Sequence, residues 1–415
     1  MRIQDIYPNG SMLWYNDFYL DSGKLIFSAG NFNGLYEYSI IEKKLKFMGN
    51  FINEGILSQQ LYGKVNKYRQ KLIYAPLTAE NIALYDLESG KFGSIKLPRP
   101  KVACGYESKF LNSIMFDNKI YMFPGYAPYI AECDLEREKV NVFDSWYDEY
   151  MKKWGKESYL LFNYDLVMIE DQIYLPSAQH SGLFRYVLDR NQFQFIEVQC
   201  NCQFISTIAY DGQRFWCSTN SGKLLILETD GTIIDEVDIS LTYGHKGAFT
   251  YSVYENGHLW LFLSQESMIL KINCNNYKHD FLTIRYSQYE KEYTNFEYHT
   301  VDFVEKKKDA VYFMSRSDRE VKRISGGEVT GVIEGIRDVT GFSAKEIRGS
   351  DFYKAYQEQM RRKAFFCSQK YETLMEEKTA FSETISFLIE EMNLGYRMNG
   401  LETGNGKRIY MECLK

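Results

Sequence analysis

The sequence predicts an all-β protein made of about seven copies of one four-stranded unit, followed by a helical C-terminal segment. Three observations carry that prediction. A strand of aromatic and β-branched residues recurs at near-constant spacing, the turn ahead of it keeps its chemistry, and the hydrophobic period changes near Gly341.

The recurring strand reads Leu25-Ile-Phe, Leu72-Ile-Tyr, Ile120-Tyr-Met, Ile173-Tyr-Leu, Phe215-Trp-Cys, Leu259-Trp-Leu and Val311-Tyr-Phe, with gaps of 47, 48, 53, 42, 44 and 52 residues. Ahead of it stand turn-forming pairs: Ser22-Gly23, Asp117-Asn118, Glu170-Asp171, Asp211-Gly212 and Asn256-Gly257. Primed hairpin turns need positive φ, which Gly, Asn and Asp tolerate best. A third strand follows in register, as in Ile82–Leu87 and Leu224–Glu228, and a weaker fourth follows most copies, as in Leu45–Met48 and Val329–Ile333.

Four short antiparallel strands per roughly 48 residues is the blade of a radial array. On these repeats the chain resembles the β-propeller superfamily over residues 1–340. It lacks the Gly-His and Trp-Asp signature of WD40 repeats and the Gly-Gly doublet of kelch repeats, so the resemblance is kelch-like only in architecture and names no subfamily. The predicted fold is a seven-bladed β-propeller with a C-terminal α-helical extension. Six or eight blades stay open, because Ile3–Tyr7 could close the ring by completing the last blade. The competing reading, one or two β-sandwiches, fits seven evenly spaced copies less well.

Residues 341–415 change period. Phe352, Tyr356 and Met360 recur at i, i+4, and Ile385, Leu388, Ile389 and Met392 at helical spacing, with Ser382 as an N-cap and Gly395 as a stop. These helices either pad the propeller or hold a partner. The ending Gly406–Tyr410 is similar to short tails on proteins of bacterial surface-polysaccharide gene clusters, which tilts the expected ligand towards carbohydrate.

The chain of 415 residues is 45% hydrophobic and 25% charged, enough to bury a large core and far from the composition of disordered chains. A net charge of −6 leaves no basic field for a phosphate backbone, so nucleic acid is not an expected partner. The short runs Lys306–Lys308 and Arg361–Lys363 read as solvated faces. No secretion signal and no membrane span is read in the sequence. The eight scattered cysteines are expected to be reduced thiols in a cytoplasmic protein.

In such a fold the ligand site is expected where inter-blade loops and the loops between second and third strands share one face. Candidate ligand-binding residues there are Asn31, Asn33, Asn81, Tyr126, Gln179, Asn220, Tyr243, His299 and Arg316. The long inter-blade segments, among them Trp146–Trp154, are aromatic. Rings beside amides and carboxylates suit a sugar or a peptide, although 34 Tyr and 28 Phe must be placed somewhere in any fold of this chain. Candidate catalytic residues are Glu107, His180, His245, Glu266 and Asp318, as acids and bases from separate blades.

No metal site is expected: Cys200 and Cys202 form one C-x-C with no second pair at finger-like spacing. No zinc-protease, nucleophile-elbow or EF-hand pattern appears, Gly404–Lys407 fails as a phosphate loop, and no cofactor is predicted. The expected function is a non-catalytic binding or scaffold protein recognising a protein or glycan through its loop face. The alternative is an enzyme acting on a carbohydrate or small polar metabolite at the channel mouth.

Overall fold

A computed structural model describes residues 11–30, 32–55, 58–98, 109–125, 127–154, 161–188, 190–239, 249–263, 268–283, 301–307, 310–315 and 319–338. The chain divides into two compact units. The larger, Met12–Glu54 with Gln59–Ile336, holds every blade. In the smaller, Met1–Ser11, Gly55–Ser58 and Arg337–Lys415, the Ser58 N–H donates to the Gly55 carbonyl at 3.0 Å. The predicted C-terminal helices lie outside the described residues.

The larger unit is a seven-bladed β-propeller: seven antiparallel sheets of four sequential strands each. Blade 1 is β1 (Tyr19–Asp21), β2 (Lys24–Ser28), β3 (Leu35–Ser39) and β4 (Lys44–Gly49). Blade 2 is β5 (Tyr62–Tyr68), β6 (Lys71–Pro76), β7 (Asn81–Asp86) and β8 (Phe92–Lys96). Blade 3 is β9 (Phe110–Phe116), β10 (Lys119–Pro124), β11 (Ile130–Asp134) and β12 (Lys139–Phe143), followed by a helix, α1 (Ser145–Trp154). Blade 4 is β13 (Val167–Ile169), β14 (Gln172–Pro176), β15 (Gly182–Val187) and β16 (Gln192–Glu197).

Blade 5 is β17 (Ile205–Tyr210), β18 (Phe215–Thr219), β19 (Lys223–Leu227) and β20 (Ile233–Asp238). Blade 6 is β21 (Phe249–Glu255), β22 (His258–Leu263), β23 (Met268–Asn273) and β24 (His279–Thr283). Blade 7 is β25 (Val301–Lys307), β26 (Ala310–Ser315), β27 (Val321–Ser325) and β28 (Glu328–Ile333). All four of its strands come from one stretch of chain, so it needs no N-terminal strand to complete it. Ile3–Tyr7 lies outside the described residues.

Burial explains why the second strands carried the sequence signal. Leu25, Leu72, Ile120, Ile173, Phe215, Leu259 and Val311 are all 0% exposed. A strand packed on both faces has no polar side and reads as a continuous apolar run. The core is distributed between blades: Leu35 and Phe51 pack with Leu72 and Tyr74, Ile73 and Ile82 with Ile120 and Met122, and Leu224 and Ile226 with Leu259 and Leu261. The seventh and first blades meet through rings, with Phe303 5.5 Å from Phe18 and 5.8 Å from Tyr15, and Tyr312 5.7 Å from Phe18. Leu13 N–H also donates to the Ile336 carbonyl at 2.8 Å.

The turns follow the expected chemistry with one correction. Ser22 and Gly23, and Asn256 and Gly257, all have positive φ. The Asp211-Gly212 pair, which predicted a tight turn, instead opens a longer loop from Asp211 to Arg214, where Asp211 Oδ1 accepts the N–H groups of Gln213 and Arg214, each at 2.7 Å. Trp216 Nε1 donates to the other carboxylate oxygen at 2.8 Å and fixes the loop to the sheet.

Candidate functional site

The first strands converge. Lys64 of the second blade pairs with Glu305 of the seventh, and Lys307 donates to Asp17 Oδ1 at 2.9 Å and lies 3.7 Å from Glu305 Oε2. Asp17 Oδ2 accepts the Val65 N–H at 2.9 Å. Opposite, Asp165 Oδ2 accepts from the Ser252 N–H at 2.7 Å, the Ser252 hydroxyl at 2.8 Å and the Ile208 N–H at 3.3 Å. A carboxylate that bonds to the fifth and sixth blades at once marks the axis of the ring.

Charge at this axis is balanced internally. Burial and repulsion by Glu305 push the Asp17 carboxyl up, opposed by Lys307, Lys64 and the Val65 N–H. Burial alone would raise the Glu305 carboxyl, but Lys64 and Lys307 outweigh it and hold it below the usual range. Burial would lower the Lys307 ammonium, yet Asp17 and Glu305 hold it above its ordinary value. Asp165 has three donors, and burial still pushes it up to about 7. The Lys306–Lys308 run is therefore not a uniformly solvated face: Lys306 is exposed beside Glu255, whereas Lys307 turns inward.

A side-chain latch repeats between blades. Asn16 Nδ2 donates to the Tyr62 carbonyl at 3.0 Å and Asn163 Nδ2 to the Ile205 carbonyl at 2.6 Å, each reaching the first residue of the next blade's inner strand. A backbone belt runs beside it over blades 1 to 4. A residue one or two past each second strand donates to a residue upstream of its own first strand: Gly30 to Trp14 at 2.6 Å, Leu77 to Leu61 at 2.8 Å, Gly125 to Lys109 at 3.1 Å and Ala178 to Leu161 at 3.2 Å. The carbonyls of Gly30, Leu77 and Gly125 then accept from Gln60, Lys109 and Leu161 of the following blade at 2.9, 2.6 and 3.0 Å.

Of the sequence-predicted site residues, Asn33, Asn81, Gln179, His180 and Asn220 are described. Glu107, His245, Glu266, Asp318, Asn31, Tyr126, Tyr243, His299 and Arg316 lie outside the described residues. Asn33 is buried and braces the linker to the second blade: its Nδ2 donates to the Phe51 carbonyl at 2.9 Å and its Oδ1 accepts the Phe51 N–H at 2.8 Å. Asn220 Oδ1 does the same for Gln203 and Phe204, at 3.0 and 3.2 Å. The N–H groups of Glu80 and Asn81 are held by Glu54 Oε1 at 2.9 and 3.3 Å.

Gln179 and His180 lie in the loop from β14 to β15, where Ser177 Oγ accepts both N–H groups, at 3.3 and 3.1 Å. The His180 ring lies 3.4 Å from the Tyr150 hydroxyl, and partial burial and then the charge of Lys153 lower its pKa, which favours the neutral imidazole. Tyr150 and Lys153 belong to α1, the segment Trp146–Trp154 that the sequence marked as an aromatic loop. The helix forms because Trp146 and Tyr150, one turn apart, are both buried against Phe162 and Phe184, while Asp148 and the pair Lys152 and Lys153 complement its dipole.

Between α1 and the end of the fourth blade away from His180 opens a cleft of about 350 Å³. Trp146 and Phe193 wall it, their rings 4.7 Å apart, and Arg185, Glu149, Gln192 and Gln194 supply polar edges. Arg185, cross-strand partner of Tyr174, has its Nε buried without a hydrogen-bond partner. Sequence reasoning missed this cleft, and the available signal was the i, i+4 pair Trp146 and Tyr150.

Cys200 and Cys202 form a disulfide with Cα atoms 5.5 Å apart, where reduced thiols were expected. Cys133, Cys217 and Cys274 are free, and burial raises the thiols of Cys133 and Cys274 to about 12 and that of Cys217 higher still. Among the described residues, no group of three His, Cys, Asp or Glu side chains is placed to hold a metal ion, and no helix is long and apolar enough to cross a membrane.

No family model and no curated protein matches the chain. Solved structures do. The computationally designed Ika8 protein has a TM-score of 0.51 at 9% identity, over 79% of this chain and 90% of that one. YCF48 bound to D1 peptide has 0.51 at 10%, over 77% and 93%. PorZ of the type-IX secretion system of Porphyromonas gingivalis has 0.50 at 11%, over 78% of this chain and 38% of that one. At such identities shape alone is shared, and shape and strand order together make the chain a seven-bladed β-propeller.

Proposed function

We propose that the chain is a non-catalytic binding and scaffold propeller that holds a protein or glycan on its loop face. The observation that carries this is the axial network. Lys64, Glu305, Lys307 and Asp17 satisfy one another, and Asp165 is filled by Ser252 and Ile208. General acid or base work needs a group with an open lone pair or a transferable proton facing a substrate. These groups serve to join blades. The loop residues Asn33 and Asn220 likewise hold backbone, which gives a rigid rim for recognition.

A peptide is a natural form of the protein ligand, since YCF48, of similar fold, is seen bound to D1 peptide. The test is equilibrium binding of the full chain to a peptide array and a glycan array, followed by titration of the hits against Gln179→Ala and His180→Ala. Saturable binding of one class, weakened at least tenfold by either substitution with the melting curve unchanged, is the expected result. Turnover of any arrayed glycan, or binding indifferent to both substitutions, overturns the reading.

A further inference from the structure

We propose that Cys200 and Cys202 are a redox-active pair that undergoes thiol–disulfide exchange with small thiols at the junction of the fourth and fifth blades. This goes beyond the binding reading and does not depend on it.

The pair is poorly suited to be a structural staple. Its ring encloses a single intervening residue, Asn201, and the entropy removed from an unfolded chain grows with the logarithm of loop length, so little is removed here. The linker is also held without it. Val198 N–H donates to the Ser181 carbonyl at 3.0 Å, Cys200 N–H to the Val198 carbonyl at 2.9 Å, and Asn220 Oδ1 accepts the N–H groups of Gln203 and Phe204 just beyond the pair. A bond that the fold does not require is free to open and close.

The site is accessible and has its own polar partner. Asn201 is exposed and both cysteines are half-buried, in contrast to Cys133 and Cys217, whose burial holds them as inert thiols. Ser181 Oγ lies 3.1 Å from Cys200 Sγ and 3.4 Å from Cys202 Sγ, within hydrogen-bond reach of either S–H once the bond opens. Ser181 directly follows His180, so the pair sits beside the loop that the sequence marked as functional.

In the reaction, a thiolate of the glutathione type attacks one sulfur and expels the other as a thiolate, leaving a mixed disulfide. A second thiolate attacks that mixed disulfide on the external sulfur and frees the first cysteine. Two external thiols are oxidised to one external disulfide, two electrons pass to the Cys200–Cys202 bond, and each cysteine takes up one proton. The reverse direction closes the pair.

The test equilibrates the full chain across stepped ratios of reduced to oxidised glutathione, quenches with acid, and follows the peptide spanning residues 200 and 202 by differential alkylation and mass spectrometry. Both thiols are expected to appear together as the ratio rises, while Cys133 and Cys217 stay reduced throughout. Cys202→Ser is expected to accumulate a glutathione adduct on Cys200 that the parent chain does not retain. Melting curves of the reduced and oxidised chains are expected to superimpose. Thiols that stay free in oxidised glutathione alone overturn the proposal, as does a bond that resists reduced glutathione in the folded chain. A reduced chain that melts far below the oxidised one would make the bond a staple and equally sink the idea.

Discussion

Asp165 and Ser252 meet twice at the propeller axis, the carboxylate accepting the serine's backbone N–H at 2.7 Å and its hydroxyl at 2.8 Å, although 87 residues and two whole blades separate them in sequence. Burial raises this carboxyl to about 7, so below that pH the folded chain keeps a proton that an unfolded aspartate releases near pH 4. The folded state then binds more protons than the unfolded state between about pH 4 and 7. Stability contributed here is full below about pH 4 and is lost progressively as pH rises from there through about 7, by up to about 4 kcal/mol in all. Asp165→Asn keeps one acceptor oxygen and does not titrate. Urea midpoints at pH 5 and pH 8 are expected to fall for the parent chain relative to this variant, and parallel shifts would refute the assignment.

Lys64 and Glu305 should behave as a unit. Lys64→Met leaves Glu305 facing Lys307 alone and is expected to cost about 3–5 kcal/mol, because an uncompensated charge stays in the interior. Adding Glu305→Leu to that variant is expected to recover most of the loss. Denaturant unfolding of the two single variants and the double variant measures the coupling. Additive losses would mean that the two residues act independently.

The two asparagine latches share no partner. Asn16→Ala and Asn163→Ala each orphan a backbone carbonyl, of Tyr62 and Ile205, and are each expected to cost roughly 1–2 kcal/mol. Their effects should add in the double variant to within about 0.5 kcal/mol. Chemical denaturation of all three chains checks both the size and the sum.

Leu259 is 0% exposed and packs with Leu224, Ile226 and Leu270 between the fifth and sixth blades. Leu259→Ala is expected to cost about 2–5 kcal/mol. His258, its neighbour in the hairpin, is partly exposed, and His258→Ala should change stability by no more than about 0.5 kcal/mol. Comparing the two unfolding midpoints tests the strand's orientation.

The second and third strands were legible because both of their faces are covered, which leaves the apolar runs around Leu72 and Ile82 unbroken. The fourth strands were faint because one side meets solvent, as in Lys44–Gly49, where only alternate residues are partly buried at the start. First strands were harder still. Five of them carry a bulge, between Tyr62 and Lys64 in the second blade and at the matching place in blades 3, 5, 6 and 7, which slips the alternation by one residue. The axial network was invisible for another reason. Lys64 and Glu305 are 241 residues apart and Asp17 and Lys307 are 290 apart, so no local pattern relates them. Of the candidate site, the position of His180 in its loop was readable from the repeat, whereas the Tyr150 hydroxyl beside it required knowing that α1 folds back onto the fourth blade.

The belt from Trp14 to Ala178 is made of main-chain atoms, and almost every amino acid supplies the same N–H and C=O. Substitution at Gly30, Leu77 or Lys109 can alter fit, yet proline alone deletes a rung. These rungs between blades 1 and 4 therefore do not depend on which residues each blade displays, whereas the packed rings and the axial ion pairs do, so a change of sequence strains the side-chain joints first and leaves the main-chain rungs standing.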